Sequence, residues 1–210
     1  MVVNRGTLKI ARGAVAIAAI AGIGVMSAFA AAQKARCGLT AEAVEGPYWV
    51  SGMSESVGGD INAAHLDGAA LEISGHVYDG LGDAKPVANA EVEVWQADAA
   101  GAYHPNGDGP ATRYKPTEIA LRGFVRTDDQ GLYRLTTIIP GEYPGRTRHI
   151  HFKIRAPGKR ELTTQLIIPA QSGDRLNFRT DGIASGLPVC QQIAIDKRSA
   201  PARARFDFRI

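Results

Sequence analysis

Leu71-Glu72-Ile73-Ser74-Gly75-His76-Val77-Tyr78 and Ala90-Glu91-Val92-Glu93-Val94-Trp95 alternate apolar with polar or small residues, and Gly, Pro, Asn or Asp bounds each run. A period of two sends successive side chains to opposite faces of a strand, so both runs read as strands with one buried face. Further along, Gly123-Phe124-Val125-Arg126-Thr127 and Leu132-Tyr133-Arg134-Leu135-Thr136-Thr137 flank Asp128-Asp129-Gln130-Gly131, a hairpin signal with glycine placed for a positive φ. A second hairpin is expected at Ala156-Pro157-Gly158-Lys159, between His149–Ile154 and Leu162–Ile168. Phe206-Asp207-Phe208-Arg209-Ile210 is expected to close a sheet edge. No helical period of any length intervenes, which predicts an all-β chain, an antiparallel β-sandwich whose core spans residues 71–210. Upstream, Arg36 to Leu66 has no sustained period and centres on Glu45-Gly46-Pro47-Tyr48-Trp49, so residues 31–70 read as an irregular N-terminal strap on that core. Residues 171–190 resist assignment.

The chain has 210 residues, enough for one domain, and its 24 glycines and 11 prolines favour turns and strands over helices. A net charge of +3 with no run of basic residues argues against a nucleic-acid partner. Arg5, Lys9 and Arg12 precede an apolar stretch from Gly13 to Met26, and Ala28-Phe29-Ala30 offers a small-x-small cleavage site. Residues 1–30 therefore read as a signal peptide cleaved after Ala30, with an uncleaved anchor over Gly13 to Ala32 as the competing reading. Either way the folded part is expected outside the cytoplasm, periplasmic or secreted, with no membrane partner once the signal is removed. The two cysteines, Cys37 and Cys190, suggest one disulfide in an exported chain; two buried free thiols are the alternative.

The sharpest chemical signal is His149-Ile150-His151. At a rise of about 3.3 Å per residue, positions i and i+2 of a strand share a face about 6.6 Å apart, so two imidazoles can converge on one metal while Ile150 points inward. Pro140-Gly141-Glu142-Tyr143-Pro144-Gly145-Arg146 leads into the pair through a turn that holds Tyr143 near the strand end, and the strand ending at Trp95-Gln96-Ala97 runs into a small-residue loop carrying Tyr103.

Together, Pro86-Val87-Ala88-Asn89-Ala90, Glu93-Val94-Trp95-Gln96-Ala97, Gly101-Ala102-Tyr103, Thr127-Asp128-Asp129-Gln130-Gly131, Pro140-Gly141-Glu142-Tyr143-Pro144 and His149-Ile150-His151-Phe152 resemble, in order and spacing, the intradiol ring-cleavage dioxygenases, which include catechol and protocatechuate 3,4-dioxygenases. The resemblance runs from about Thr40 to Pro169. It implies one Fe(III) held by Tyr103, Tyr143, His149 and His151, with Tyr143 and His151 axial, and no organic cofactor. Phenolate oxygens are hard donors suited to Fe(III), and a bound cation deprotonates a phenol whose free pKa is about 10. It further implies a small aromatic diol and O2 as reactants and a cis,cis-muconate-type dicarboxylate as product. Tyr143 would be both ligand and base, and Arg146 would lie against the reacting ring, stabilising negative charge on carbon. Arg148 competes for that last role. Gln165 is implied near the O2 site and Tyr48 as a pocket wall.

Three departures bear on substrate and oligomeric state. The helical N-terminal extension of cytosolic catechol dioxygenases is replaced by the strap, Gly58-Gly59-Asp60-Ile61 lacks the arginine often found there, and the loop after Tyr103 reads His104-Pro105-Asn106-Gly107-Asp108-Gly109, poor in aromatics. Two other readings compete: a secreted transthyretin-like binding sandwich, and a zinc or copper site built from His149, His151 and either His104 or His76.

Overall fold

A computed structural model describes Met1 and residues 38–210. Beyond Met1, the expected signal peptide and its cleavage site fall outside the described residues, as does Cys37. Among the described residues no helix is long and apolar enough to cross a membrane.

Strands follow in chain order as β1 Val50–Ser51, β2 Ala70–Asp79, β3 Lys85–Pro86, β4 Glu91–Gln96, β5 Gly109–Pro110, β6 Arg122–Arg126, β7 Leu132–Ile138, β8 His149–Arg155, β9 Leu162–Ile167, β10 Ile195–Asp196, β11 Ala202–Arg205 and β12 Phe208–Arg209. The described helices are three-residue 3-10 turns. Two large sheets form the sandwich. One has four antiparallel strands in the order β6-β4-β8-β9. The other has six and is organised around the ten-residue β2, which pairs antiparallel with β7 and β3 and parallel with β11 and β12. The C-terminal segment joins β2 through Phe208 opposite Val77, in line with its expected place at a sheet edge.

β2 follows its sequence pattern: Leu71, Ile73, Gly75 and Val77 are buried and Glu72, Ser74 and His76 between them half-buried. Leu71, Ile73 and Val77 meet Tyr133 and Leu135 of β7, Val92 and Val94 of β4, Ile150, Phe152 and Ile154 of β8 and Phe208 in one apolar core. The second expected hairpin forms, with β8 and β9 joined across Ala156 to Lys159.

The first does not. The turn at 128–131 has the expected chemistry, with Asp128 Oδ1 accepting the N–H groups of Gln130 and Leu132 and Gly131 at φ 72°. The flanking strands nevertheless belong to different sheets, because β6 pairs with β4 and β7 with β2. Thr127 is tied to the start of β4: its Oγ1 accepts from Ala90 N–H at 2.8 Å and donates to Val87 O at 2.7 Å. Gly131 O, four residues on, accepts from Val77 N–H of β2. The turn carries the chain across the core instead of along one sheet.

A second correction concerns burial. β4 was expected to bury one face, yet from Val92 to Gln96 every residue is buried, as is every residue of β8 from His149 to Ile154. The outward residues Glu93, Trp95, His149, His151 and Lys153 lie beneath the strap. Val44 O accepts from Gln165 Nε2 at 2.8 Å, Ala43 N–H donates to Thr163 O, Glu45 pairs with Lys153 Nζ at 2.5 Å, and Trp49 Nε1–H donates to Glu93 at 2.9 Å while Lys153 Nζ sits 3.8 Å from its ring centroid. A strand face that holds charge can be buried only if each charge finds a partner, and the strap supplies several of them.

Candidate metal centre

His149 and His151 leave β8 on the outer face, under the strap. His149 Nδ1 lies 2.7 Å from Thr147 O and must donate to it, which leaves the lone pair on Nε2. That Nε2 is 3.1 Å from His151 Nε2 and 3.4 Å from Tyr103 Oη. The Tyr143 ring stands beside them, its centroid 5.6 Å from that of His149 and 5.8 Å from that of Tyr103. His151 Nδ1 has no hydrogen-bond partner among the described residues; its ring is held by stacking on Trp95, at 4.7 Å and 14°.

Burial sets the protonation states. It pushes the His149 imidazole down to about 4, helped by the Arg146 charge, and lowers His151 well below the ordinary value, so both rings are neutral at pH 7. Burial, with Tyr143 nearby, raises the Tyr103 phenol well above its ordinary value, so that oxygen ionises only against an added cation. The donors fit a metal ion. Two imidazole nitrogens each about 2.1 Å from one ion and at right angles are separated by about 3.0 Å, close to the observed spacing of the Nε2 atoms. With two phenols alongside, the set is harder than an all-histidine one and favours a ferric ion.

The two tyrosines meet because their loops pack backbone against backbone. Asp98 organises the first, its Oδ1 accepting the N–H groups of Ala100 and Ala102 at 2.9 Å each. Gly141 N–H donates to Asp98 O at 2.7 Å, and a Cβ on Gly101 would lie 2.0 Å from Glu142 O. Glycine at both crossings lets the Tyr103 and Tyr143 loops approach to this distance. From the strap, Tyr48 stacks on Tyr103 at 4.3 Å and 15° and meets Tyr143 edge-on at 5.9 Å. Gly46 lies over His151: a Cβ there would be 3.5 Å from Cε1 and 4.0 Å from Nε2.

Arg146 is buried beside this group. Its Nε donates to both oxygens of Asp181, at 2.9 and 3.1 Å, and its Nη2 to Gln165 Oε1 at 2.5 Å, while Nη1 makes no hydrogen bond among the described residues. Gln165 is thereby engaged on both sides, by Arg146 and by the strap, and orients the arginine. Arg148 points elsewhere, forming a two-point pair with Asp174 at 2.7 Å and donating to Pro140 O. A cavity of about 300 Å³ lies against Tyr143 and Arg146, with Glu142, Arg175 and Leu176 in its wall.

The structure does not bring the other histidines to the centre. His104 Nε2 is bound to Asp98 Oδ2 at 2.8 Å, and His76 stacks on Tyr78 in the other sheet. Among the described residues no three His, Cys, Asp or Glu side chains converge as a metal site. Cys190 is disulfide-bonded, and Cys37, its expected partner, lies outside the described residues. Sequence reasoning missed Asp98, Asp181 and Arg122. Asp98-x-x-Gly101 carries a turn signal that could have found the first; Asp181 lies in the stretch that resisted assignment.

Comparisons with known proteins agree with this geometry. A family model described as Dioxygenase, Dioxygenase_C, matches residues 44–208. Catechol 1,2-dioxygenase of Acinetobacter guillouiae is 32% identical over 205 residues, 82% of this chain and 63% of that protein. The protocatechuate 3,4-dioxygenase beta chain of Burkholderia cepacia is 39% identical over 130 residues, 58% of this chain and 52% of that protein. The chain spans 45%, 63% and 64% of the length of three curated catechol 1,2-dioxygenases that it matches. Among solved structures, the dioxygenase domain of a dioxygenase carbohydrate-binding protein fusion from Streptomyces sp. SirexAA-E superposes with a TM-score of 0.65 at 32% identity, covering 82% of this chain and 97% of that one. The intradiol ring-cleavage dioxygenase from Tetranychus urticae gives 0.70 at 25%, covering 83% and 94%. The matched span contains Tyr48, Tyr103, Tyr143, Arg146, His149, His151 and Gln165, and the chain belongs to the intradiol ring-cleavage dioxygenase family.

Proposed function

We propose that the chain cleaves a catecholic ring between its two hydroxyl-bearing carbons, using O2 and one Fe(III), to give a cis,cis-muconate-type dicarboxylate. The observation that carries this reading is that Tyr103 Oη and His151 Nε2 both lie within 3.4 Å of His149 Nε2, in buried surroundings where both imidazoles are neutral and Tyr143 stands alongside. Tyr103, Tyr143, His149 and His151 would hold the ion. Ferric iron, when bound, supplies a Lewis acid that favours the catechol dianion and makes the ring reactive toward O2.

The remaining work belongs to the chain. Tyr143, on the less buried of the two tyrosine loops, would hold the ion as a phenolate, and its Oη would accept one of the two protons of the incoming catechol, the other leaving to solvent. Arg146 presents its uncommitted Nη1 to the ring, and its charge stabilises electron density that builds on carbon. Asp181 and Gln165 keep that guanidinium from turning. Tyr48, stacked on Tyr103, and Gly46, packed over His151, cover the centre on the strap side and shield it from water. Relatives are named for catechol, hydroxyquinol and protocatechuate, and the substrate here is a small aromatic diol of that class. We further place the mature protein outside the cytoplasm, with Cys37 and Cys190 as its disulfide.

The test is O2 uptake by iron-loaded protein with catechol, hydroxyquinol or protocatechuate, together with the ultraviolet spectrum of the product. The reading requires one O2 consumed per ring opened and loss of that uptake in Arg146→Ala. Iron-loaded protein that consumes no O2 with any of the three would overturn it.

A further inference from the structure

The buried and half-buried cations around the centre are paired, with one exception among the described residues. Arg146 has Asp181 at 2.9 Å, Arg148 has Asp174 at 2.7 Å, and Lys153 has Glu45 at 2.5 Å. Arg122, only 6% exposed, has no carboxylate within ion-pair distance among the described residues. Its guanidinium donates instead to three backbone carbonyls: His104 O through Nε at 2.7 Å, Tyr48 O through Nη1 at 2.7 Å and Pro105 O through Nη2 at 3.2 Å. Burial lowers its pKa to about 10, partly offset by Tyr103, Tyr114 and Glu93, so it stays charged at pH 7. A buried charge satisfied only by neutral carbonyls is an expensive feature to keep without a counter-charge.

Its three acceptors say what it is for. His104 follows Tyr103 directly in the chain, and Tyr48 is the residue stacked on the Tyr103 ring. Arg122 thus clamps the segment that carries this phenol to the segment that stacks on it. It also sits in a cross-strand row, opposite Trp95, which is opposite His151, which is opposite Gln165.

We propose that Arg122 is a positioning residue for Tyr103: its fork fixes the loop that carries the phenol against the strap residue stacked on it, and its charge, unpaired by any carboxylate among the described residues, acts on the phenol oxygen that binds the metal. The inference rests on the ferric reading of the site. It predicts that the charge and the fork of Arg122 make separable contributions. Losing the fork loosens the clamp and weakens the site's hold on a trivalent ion, whereas losing the charge raises the energy of the Tyr103 oxygen's electrons and shifts its absorption band.

The experiment compares full-length wild type, Arg122→Lys and Arg122→Gln, each loaded with ferric iron. It reads ferric affinity by competition with citrate, the position of the phenolate-to-iron absorption band, and the melting temperature without metal. Expected in Arg122→Gln is a fall in ferric affinity on the order of tenfold from the loosened clamp, about 1.4 kcal/mol, with the band moved to longer wavelength by the lost charge. Arg122→Lys, which keeps the charge and not the fork, should restore the band position but not the affinity. A band in Arg122→Gln at the wild-type position with unchanged affinity overturns the proposal, as does an Arg122→Lys band at the Arg122→Gln position. If Arg122→Gln does not fold, Arg122→Lys decides alone by whether its band matches wild type. A wild-type protein that shows no phenolate band at all would instead overturn the reading of the site, and this proposal with it.

Discussion

Replacing Asp181 by Ala removes the counter-charge of a buried arginine. Asp181 accepts from Arg146 Nε at 2.9 and 3.1 Å and from the N–H groups of Thr147 at 2.7 Å, Ile183 at 2.8 Å and Ala184 at 3.0 Å, so one carboxylate holds both Arg146 and the 181–184 turn. Breaking a buried pair from one side costs about 3–5 kcal/mol, because the remaining charge is stranded. At about 2–4 °C per kcal/mol for a domain of this size, the melting temperature should fall by about 6–20 °C. With Arg146 free to shift, turnover should drop by about 10²-fold. The pH dependence follows from the direction of the Asp181 shift. Burial raises its pKa, but the N–H groups of Ala184 and Thr147 and the Arg146 charge outweigh burial and hold it below the ordinary 3.8. Its stabilisation is therefore complete above about pH 4 and disappears as pH falls through the lower folded value, and Asp181→Ala should lack that acid limb. Thermal melts between pH 2 and pH 8, with steady-state rates at pH 7, test this. A variant melting within about 2 °C of wild type at pH 7 with unchanged turnover would refute the role given to Asp181.

Two further outcomes follow from the same geometry. Gly101→Ala should destabilise the protein by about 2–5 kcal/mol, since its Cβ would meet Glu142 O at 2.0 Å and its φ of 91° disfavours any side chain; denaturant titration with a measurable loss of bound iron checks it. Metal-free protein should lose stability as pH falls below about 6.5, because the unfolded chain's histidines take up protons that His149, held down to about 4 by burial, refuses; His149→Gln should flatten that slope in acid-titrated melts.

The alternation of Leu71 to Tyr78 and the turn chemistry around Pro157-Gly158 were enough to foresee the sandwich and the β8–β9 hairpin. Asp128-Gln130-Gly131 was read for its turn, correctly, and for its pairing, wrongly, because the signal is local and says nothing about which edge each flanking strand finds. Glu93 and Lys153 lie on the strand faces that alternation leaves out of the core; they are buried because the strap brings Trp49 and Glu45 onto them, a long-range fact without a periodic signature. At the site, Tyr103, Tyr143, His149 and His151 were legible through the resemblance, and only the histidine pair stood out from spacing alone. The partners of Arg146 and the clamp of Arg122 are contacts between segments 35 and 74 residues apart, which no local pattern announces.

The central claim is the ferric centre, and it is tested most directly by the metal content and visible spectrum of purified mature protein, repeated without oxygen after adding catechol. The account predicts one iron per chain and a phenolate-to-iron absorption band that weakens in Tyr103→Phe and in Tyr143→Phe and shifts when catechol binds. A folded protein that carries no iron, cannot be reconstituted with it and stays colourless would contradict the account.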